Sequence, residues 1–296
     1  MDIKNIKYGS SQKRVQIKKF NIKSMPDNVT IAMIAKRGSG KSFITRELLF
    51  HKRHLPRTVI ISKTEKLNKF FGDFIPDIYI YNNYSPELLN KIFANQKQLT
   101  EDNEDRSKEG KRTKDLRFML VMDDCMSSKG KWVKEEAIQE LFYNGRHYGI
   151  SFILTLQYSL GIPPEMRSNF DYIFLLAEDF TSNRRRLYEH YAGMFPNFPS
   201  FNDAFSVLTE DFGCMVINNK IHTQDITEKV FWYKAKKVPD FKMGSKIFNK
   251  YHKKYYDPEW NKRPMLFDPN DILSKKRNNF KVNVKKVKNN DDDDSY

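Results

Sequence analysis

The sequence predicts an α/β fold, a mainly parallel β-sheet with helices on both faces. Short β-branched runs alternate with segments of helical period along most of the chain, the pattern of strand–helix–strand units. The strongest strand candidates, residues 29–34 and 118–122, are almost continuously apolar rather than alternating, as strands buried on both faces must be. The chain has 296 residues, 39% of them hydrophobic and 14% aromatic, enough for a sizeable core and too apolar for global disorder.

The elements follow in order. Residues 1–27 are polar and basic, broken by Gly9 and Pro26, and form a basic N-terminal arm or short leading strands. The first core strand, 29–34, is followed by a Gly-containing turn and a helix over 42–52. Strands are predicted at 58–62 and 78–81, each preceded by a proline (Pro56, Pro76). Leu88, Leu89, Ile92 and Phe93 recur at helical spacing behind Pro86, which predicts a helix over 86–98. The charged run 101–115 reads as a mobile surface loop. Strand 118–122 ends in Asp123 and Asp124, and Val133, Ala137, Ile138, Leu141 and Phe142 mark one face of a helix running to Gly145. Strands at 150–156 and 172–176 precede a basic helix over 182–191, capped by Thr181 or Ser182. Strand-like runs at 214–217 and 230–233 close a core spanning residues 28–238. An aromatic extension, 239–270, is expected to fold back on that core through residues such as Phe248, Tyr251 and Trp260. Residues 271–296 form a tail, basic over 275–288 and acidic over 291–294, whose composition predicts disorder.

Charge and cysteine content exclude several classes. Lys and Arg number 52 against 37 Asp and Glu, a net charge of +15, which points to a polyanionic partner as well as to solubility. Two cysteines, Cys125 and Cys214, make neither a disulfide framework nor a Cys-rich zinc site and fit a reducing compartment. No apolar run approaches the roughly 18–20 residues of a membrane span, and the N-terminal run lacks the apolar core of a signal peptide. The expectation is a soluble intracellular protein.

The chemistry begins at Ala35, Lys36, Arg37, Gly38, Ser39, Gly40, Lys41 and Ser42. This segment fits the phosphate-loop pattern GxxxxGK[ST], with Ala35 in place of the first glycine. It lies between an apolar strand and an amphipathic helix, where that loop must lie. Gly38 and Gly40 let the backbone turn its N–H groups onto phosphate oxygens, and Lys41 would reach the β- and γ-phosphates. Ser42 would ligate Mg²⁺, and the helix N-terminus adds its dipole.

A nucleoside triphosphatase also needs a second Mg²⁺ contact and a group that activates water. Asp123, at a strand's C-terminal end, is the metal candidate, and Asp124 is the candidate for polarising the water. A simple acidic turn is the alternative. Gln157 ends strand 150–156 as Asp123 ends its own, so if the two strands are neighbours Gln157 faces the γ-phosphate as sensor or water holder; otherwise it is a solvated strand end. Arg146, then Arg167, then Arg184–Arg186 are candidates for an arginine finger reaching a neighbouring subunit in an oligomer. Taken singly, each reads first as a surface or DNA-facing charge. His147 reads as a structural or surface histidine.

These residues carry a resemblance. The loop 35–42, the apolar strand with Asp123 and Asp124, the Asn144-Gly145-Arg146-His147 turn and Thr155-Leu156-Gln157 come in this order. The run 163–171 and the late Val230-Phe231-Trp232-Tyr233 extend it, so that it covers roughly residues 28–238. The chain is similar to the genome-packaging ATPases of large double-stranded DNA viruses, the poxvirus-type group within the FtsK–HerA superfamily. The resemblance implies a P-loop NTPase core of the RecA-like (ASCE) kind, with an extra strand between the phosphate-loop and Asp-pair strands. It implies ATP and Mg²⁺ as ligands, a homo-oligomeric ring, double-stranded DNA and viral capsid proteins as partners, and residence at cytoplasmic assembly sites of the infected cell, with the virion as a second location. No family motif covers the chain beyond Pro239.

A motor that grips duplex backbone needs basic loops rather than a base-reading element. Arg106, Lys108, Lys111, Arg112 and Lys114, the Arg184–Arg186 helix and the basic tail are candidates, and no zinc finger, helix-turn-helix or RNA-binding motif is found. The tail is alternatively a localisation or capsid-docking signal. The competing functional readings are another DNA-remodelling P-loop ATPase or helicase, and a non-motor scaffold for DNA or capsid with a nucleotide switch.

Overall fold

A computed structural model describes residues 3–8, 13–125, 132–157 and 162–259. The basic and acidic runs of the tail, Trp260 and Phe267 therefore lie outside the described residues. Two compact units are separated between residues 256 and 257, and the architecture below is that of residues 1–256.

In chain order the elements are β1 (Ile3–Tyr8), β2 (Lys13–Lys18), β3 (Thr30–Ile34), α1 (Lys41–His51), β4 (Arg57–Ser62), α2 (Glu65–Asn68), β5 (Ile80–Tyr81), α3 (Pro86–Lys108), β6 (Phe118–Asp123), α4 (Glu136–Asn144), β7 (Ile150–Leu156), α5 (Pro164–Arg167), β8 (Tyr172–Leu176), α6 (Thr181–Tyr191), α7 (Phe198–Leu208), β9 (Gly213–Asn218), α8 (Ile226–Lys229), β10 (Val230–Lys234) and α9 (Lys246–Tyr255). Eight strands form one sheet in the order β10-β9-β8-β3-β7-β6-β4-β5, and β1 and β2 pair antiparallel beside it. Strands β3 to β8 run parallel, while β9 pairs antiparallel with both β8 and β10. The α/β expectation holds, and β7 stands between the phosphate-loop strand β3 and the Asp-pair strand β6.

The continuous apolar runs are central strands because both their faces are covered. In β3, Ala32 and Ile34 enter one core while Ile31 and Met33 enter the other, the alternation that a strand imposes. In β6, Phe118, Leu120 and Met122 face the first core, and Met119 and Val121 the second. Helices α3, α4, α6 and α7 cover the first face. Helix α1 covers the second with Ile44, Leu48 and Leu49, together with Phe71, Phe74 and Met243 from irregular segments.

Several local expectations change. The predicted loop 101–115 is helical as far as Lys108, because α3 is anchored by buried Leu89, Ile92, Phe93 and Gln96 and the polar turns propagate from there. The returning chain is pinned to that extension: Asn103 donates to the Lys114 carbonyl and accepts from its N–H (2.9 and 2.7 Å), and Arg106 donates to the carbonyl of Arg112. Helix α6 begins one residue early, after Phe180, and neither Thr181 nor Ser182 caps it. Helix α7 went unpredicted, although Asn197 accepts from the Ser200 N–H as its cap and Phe201, Ala204, Phe205 and Leu208 form its buried face.

The leading segment forms strands, and its continuation is woven into the core. The Phe20 N–H donates to the Trp232 carbonyl at 2.8 Å. The Phe20 ring meets Tyr172, Phe174, Phe231 and Tyr233 edge-on. Behind the core, the segment after β10 packs back: Phe241 stacks on Phe74 and Phe248 on Tyr79. At the N-terminal edge of the sheet, Asp27 accepts from Lys52, His54 and Arg117 at 2.6–2.9 Å and so ties the end of α1 to the start of β6. Burial works against the charged carboxylate, but the bonds from His54, Lys52 and Arg117 outweigh it and hold Asp27 far below the usual carboxylate range.

Two outcomes follow. Phe20→Ala empties a site enclosed by four rings and should cost about 3–5 kcal/mol, read as a lowered midpoint in urea unfolding. Asp27 stabilises the fold fully above the unfolded carboxylate value of ~3.9 and loses that contribution as pH falls further. Asp27→Asn should therefore lower the neutral-pH midpoint and flatten its decline below about pH 4.

Candidate active site

Parallel register brings the predicted residues together at the C-terminal edge of the sheet. Ser62 of β4 pairs with Asp123 of β6, and Asp123 with Thr155 of β7, so the three stand in one row. Their side chains bond along it: Ser62 Oγ donates to Asp123 Oδ2 at 3.1 Å, and Thr155 Oγ1 donates to Asp123 Oδ1 at 2.7 Å. The same threonine oxygen accepts from the Asp124 N–H at 3.1 Å and from Lys41 Nζ at 3.4 Å. One hydroxyl therefore uses its donor and both lone pairs.

Lys41 links the phosphate loop to both acids. Its Nζ lies 3.1 Å from Asp123 Oδ1 and is bonded to Asp124 Oδ2, with all three side chains 12–16% exposed. Gln157 Nε2 donates to the same Asp124 oxygen at 3.1 Å. Asp124 has φ +45°, a left-handed backbone that turns it off the strand beneath Lys41 and Gln157. Its second oxygen, Oδ1, is buried without a hydrogen-bond partner. Next to the pair, the Cys125 thiol is pushed up to about 12, first by burial and then by the Asp123 charge, which leaves it inert.

The loop itself has the expected form. Its first residue, Ala35, is 2% exposed, packs into the core under α1, and donates its N–H to the Leu156 carbonyl at 2.9 Å. Its φ is not positive, so a side chain fits where the motif usually has glycine. Gly38 and Gly40 do need glycine, with φ of +77° and +96°. Ser39 folds inward, its hydroxyl donating to the Lys36 carbonyl. The Lys36 side chain pairs with Asp179 and lies over the Phe180 ring. Ala35, Lys36, Arg37, Gly38, Gly40, Lys41 and Ser42 line a cleft of about 630 Å³ that also holds Asp123, Asp124 and Gln157. Its size is that of an ordinary small-ligand site.

The donors suit a triphosphate with Mg²⁺. That ion takes one or two carboxylates and completes its shell with phosphate oxygens and water. Ser42 and Asp123 border one cleft with Asp124 beside them; no cage of three or more acidic, His or Cys groups exists among the described residues.

The candidate arginines stand elsewhere. Arg146 precedes β7 and Gln157 follows it, so a strand of seven residues, about 23 Å, separates them. Arg146 Nη2 lies 3.3 Å from both the Asn169 carbonyl and Asp171, at the opposite edge of the sheet. Arg167 donates to the His190 carbonyl at 3.2 Å and lies over Tyr191. Neither lines the cleft of its own chain. Arg184 braces α6 against Asn202 and Ser206 of α7. Arg186 borders a smaller pocket that shares Ala35, Lys36 and Gln157 with the main cleft. Of the basic residues before β6, Lys108, Lys111 and Lys114 pair with Asp105, Glu109 and Asp102. Sequence reasoning missed the roles of Ser62 and Thr155; a hydroxyl in the last turn of an otherwise apolar strand was the available signal.

The family described as poxvirus A32 protein matches residues 17–183, more than half of the chain. Protein L437 of Acanthamoeba polyphaga mimivirus is 39% identical over 279 residues, 93% of this chain and 98% of its own length. Protein 088R of Invertebrate iridescent virus 3 is 33% identical over 233 residues, 77% of this chain and 85% of its own. Among solved structures, the genome packaging NTPase B204 from Sulfolobus turreted icosahedral virus 2 in complex with AMPPCP is similar at 16% identity and a TM-score of 0.48, over 72% of this chain and 100% of that one.

Thr155→Val keeps shape but strips Asp123 and the Asp124 N–H of their shared partner, at about 1–3 kcal/mol. Nucleoside triphosphate turnover should fall at least about tenfold with the fold retained, measured as phosphate release beside a thermal melt.

Proposed function

This chain belongs to the poxvirus A32 protein family, and on that premise we propose that it is an ATP-hydrolysing motor that translocates double-stranded viral DNA into capsids. The observation that carries the reading is the Lys41–Asp123–Asp124–Thr155–Gln157 cluster facing a phosphate loop across one cleft. A site retained only as a structural remnant has no need to hold all five groups in register.

The residues divide the work. The backbone N–H groups around Gly38 and Gly40, and the N-terminus of α1, receive the phosphates. Lys41 is held by two carboxylates, so an incoming triphosphate competes for its ammonium and draws it toward the β- and γ-oxygens. Ser42 and Asp123 would hold Mg²⁺, which would supply charge neutralisation. Asp124 accepts the proton of the attacking water: Lys41 and Gln157 hold its Oδ2 at the cleft, and the departure of Lys41 toward the phosphates frees that oxygen for the water. Such a base is worth roughly 10²–10⁴ in rate. Gln157 touches Asp124 directly, so a change at the γ-phosphate is passed to the end of β7.

Arg146 and Arg167 fit a different task. They face away from their own cleft, which suits a finger that completes the site of a neighbouring subunit in a ring. The net charge of +15 suits a sequence-independent grip on duplex backbone. Capsid proteins as partners and residence at cytoplasmic assembly sites complete the proposal. No described helix is long and apolar enough to cross a membrane.

Steady-state ATPase activity with and without double-stranded DNA tests this in wild type, Lys41→Ala and Asp124→Asn. We expect stimulation by DNA and at least about a hundredfold loss of turnover in both variants. Turnover indifferent to DNA or to Asp124→Asn would favour a nucleotide-switched scaffold instead.

A further inference from the structure

The phosphate loop and the acidic pair occupy only part of the cleft. Because β9 runs antiparallel and β10 parallel, the start of β9 and the end of β10 reach the same edge as the loop. There Phe212, Lys234 and Ala235 line the cleft, on the side of β3 away from Asp123.

Phe212 is unusual in two independent ways. It is a large aromatic left 61% exposed inside a cleft. It and Asp211 also occupy consecutive left-handed conformations, φ +59° and +50°, a backbone that aspartate tolerates but a bulky aromatic rarely adopts, and such residues cluster at functional sites. The backbone turn presses the side chain onto the phosphate loop: a Cβ on Gly40 would meet Phe212 Cβ at 3.6 Å and Cδ1 at 3.7 Å. The ring therefore sits over the first turn of α1, continuous with the phosphate site.

The wall around it is fixed to the same helix. Glu47, buried on α1, accepts from the Lys236 N–H at 2.8 Å, which holds the end of β10 against the loop's own helix. Lys234, the polar side chain at this end, is engaged by Asp211. At this end the cleft is lined by the Phe212 ring beside the small Ala235 side chain, with Phe43 of α1 as a second exposed aromatic of the same cleft; an aromatic ring recognises a flat π-system by stacking.

We propose that Phe212 is the platform on which the purine base of a bound nucleoside triphosphate stacks, with the γ-phosphate at the Asp124–Gln157 end. The inference rests on the nucleotide-binding reading of the cleft and adds the base subsite to it. Stacking strength grows with ring area, so purine triphosphates bind more tightly than pyrimidine triphosphates, and guanine is not strongly rejected.

The test is calorimetric binding of ATP, CTP and inorganic tripolyphosphate to the full chain in wild type, Phe212→Ala, Phe212→Tyr and Lys41→Ala. Phe212→Ala should weaken ATP about tenfold or more, bring the ATP and CTP affinities together and leave tripolyphosphate unchanged; Phe212→Tyr should restore ATP binding. An unchanged ATP affinity in Phe212→Ala, while Lys41→Ala loses it, overturns the base subsite and leaves the nucleotide site standing. Equal loss of ATP and tripolyphosphate in Phe212→Ala also overturns it, since the ring would then only support the loop. If wild type binds neither ATP nor tripolyphosphate, the nucleotide reading fails and the base subsite with it.

Discussion

The buried hydroxyl of Thr155 is the point on which the active-site edge depends. It donates to Asp123 and accepts from the Asp124 backbone and from Lys41, so one side chain sets the positions of Asp123, Asp124 and Lys41. Its environment is fully buried, where a lost hydrogen bond leaves a polar group without water as a substitute. That fixes Asp123 and the Asp124 backbone through a neutral partner of fixed register.

This rigidity comes from the sheet. Central strands β3, β6 and β7 pack both faces against apolar cores, so a shift of register would exchange the two faces of each strand and expose its apolar set. The hydrophobic pattern that builds the fold thus also aligns Ser62, Asp123 and Thr155 in one row. The antiparallel return of β9 serves the same edge from the other side, carrying Phe212 back to the phosphate loop. An all-parallel sheet would have left the start of that strand at the far edge, beside Arg146.

Charge is distributed along the strands in the opposite sense. The cleft edge holds the acidic pair under Lys41, while Arg146 and its Asp171 partner stand at the other end. The chain thus carries the Lys41–acid cluster at one edge of the sheet and the Asp171-paired guanidinium of Arg146 at the other. The acids on and after α3 neutralise three of the lysines expected to grip DNA, which leaves the net positive charge to be sought on other surfaces.

Much of the site was legible in the residues themselves. Glycine at two positive-φ positions, the Lys41–Ser42 pair and two acids ending an apolar strand are local signals, because a phosphate loop and a strand end are made by contiguous chain. The strands were legible for the same reason, since burial on two faces writes itself as an unbroken apolar run. The helical extension of α3 was hidden because its charged turns are held by Asn103 and Arg106 reaching to residues beyond Gly110. Helix α7, by contrast, carries its Asn197 cap and the spacing of Phe201, Ala204, Phe205 and Leu208 within contiguous chain. The sequence by itself determined the fold class, the phosphate-loop segment and the place of the acid pair at a strand end. Only the tertiary structure decided that β7 lies beside β6, that Thr155 holds the acids, that Arg146 and Arg167 face away from their own cleft, and that Phe212 returns to the loop. Each of these depends on pairing between segments distant in the chain, which local residue pattern does not encode.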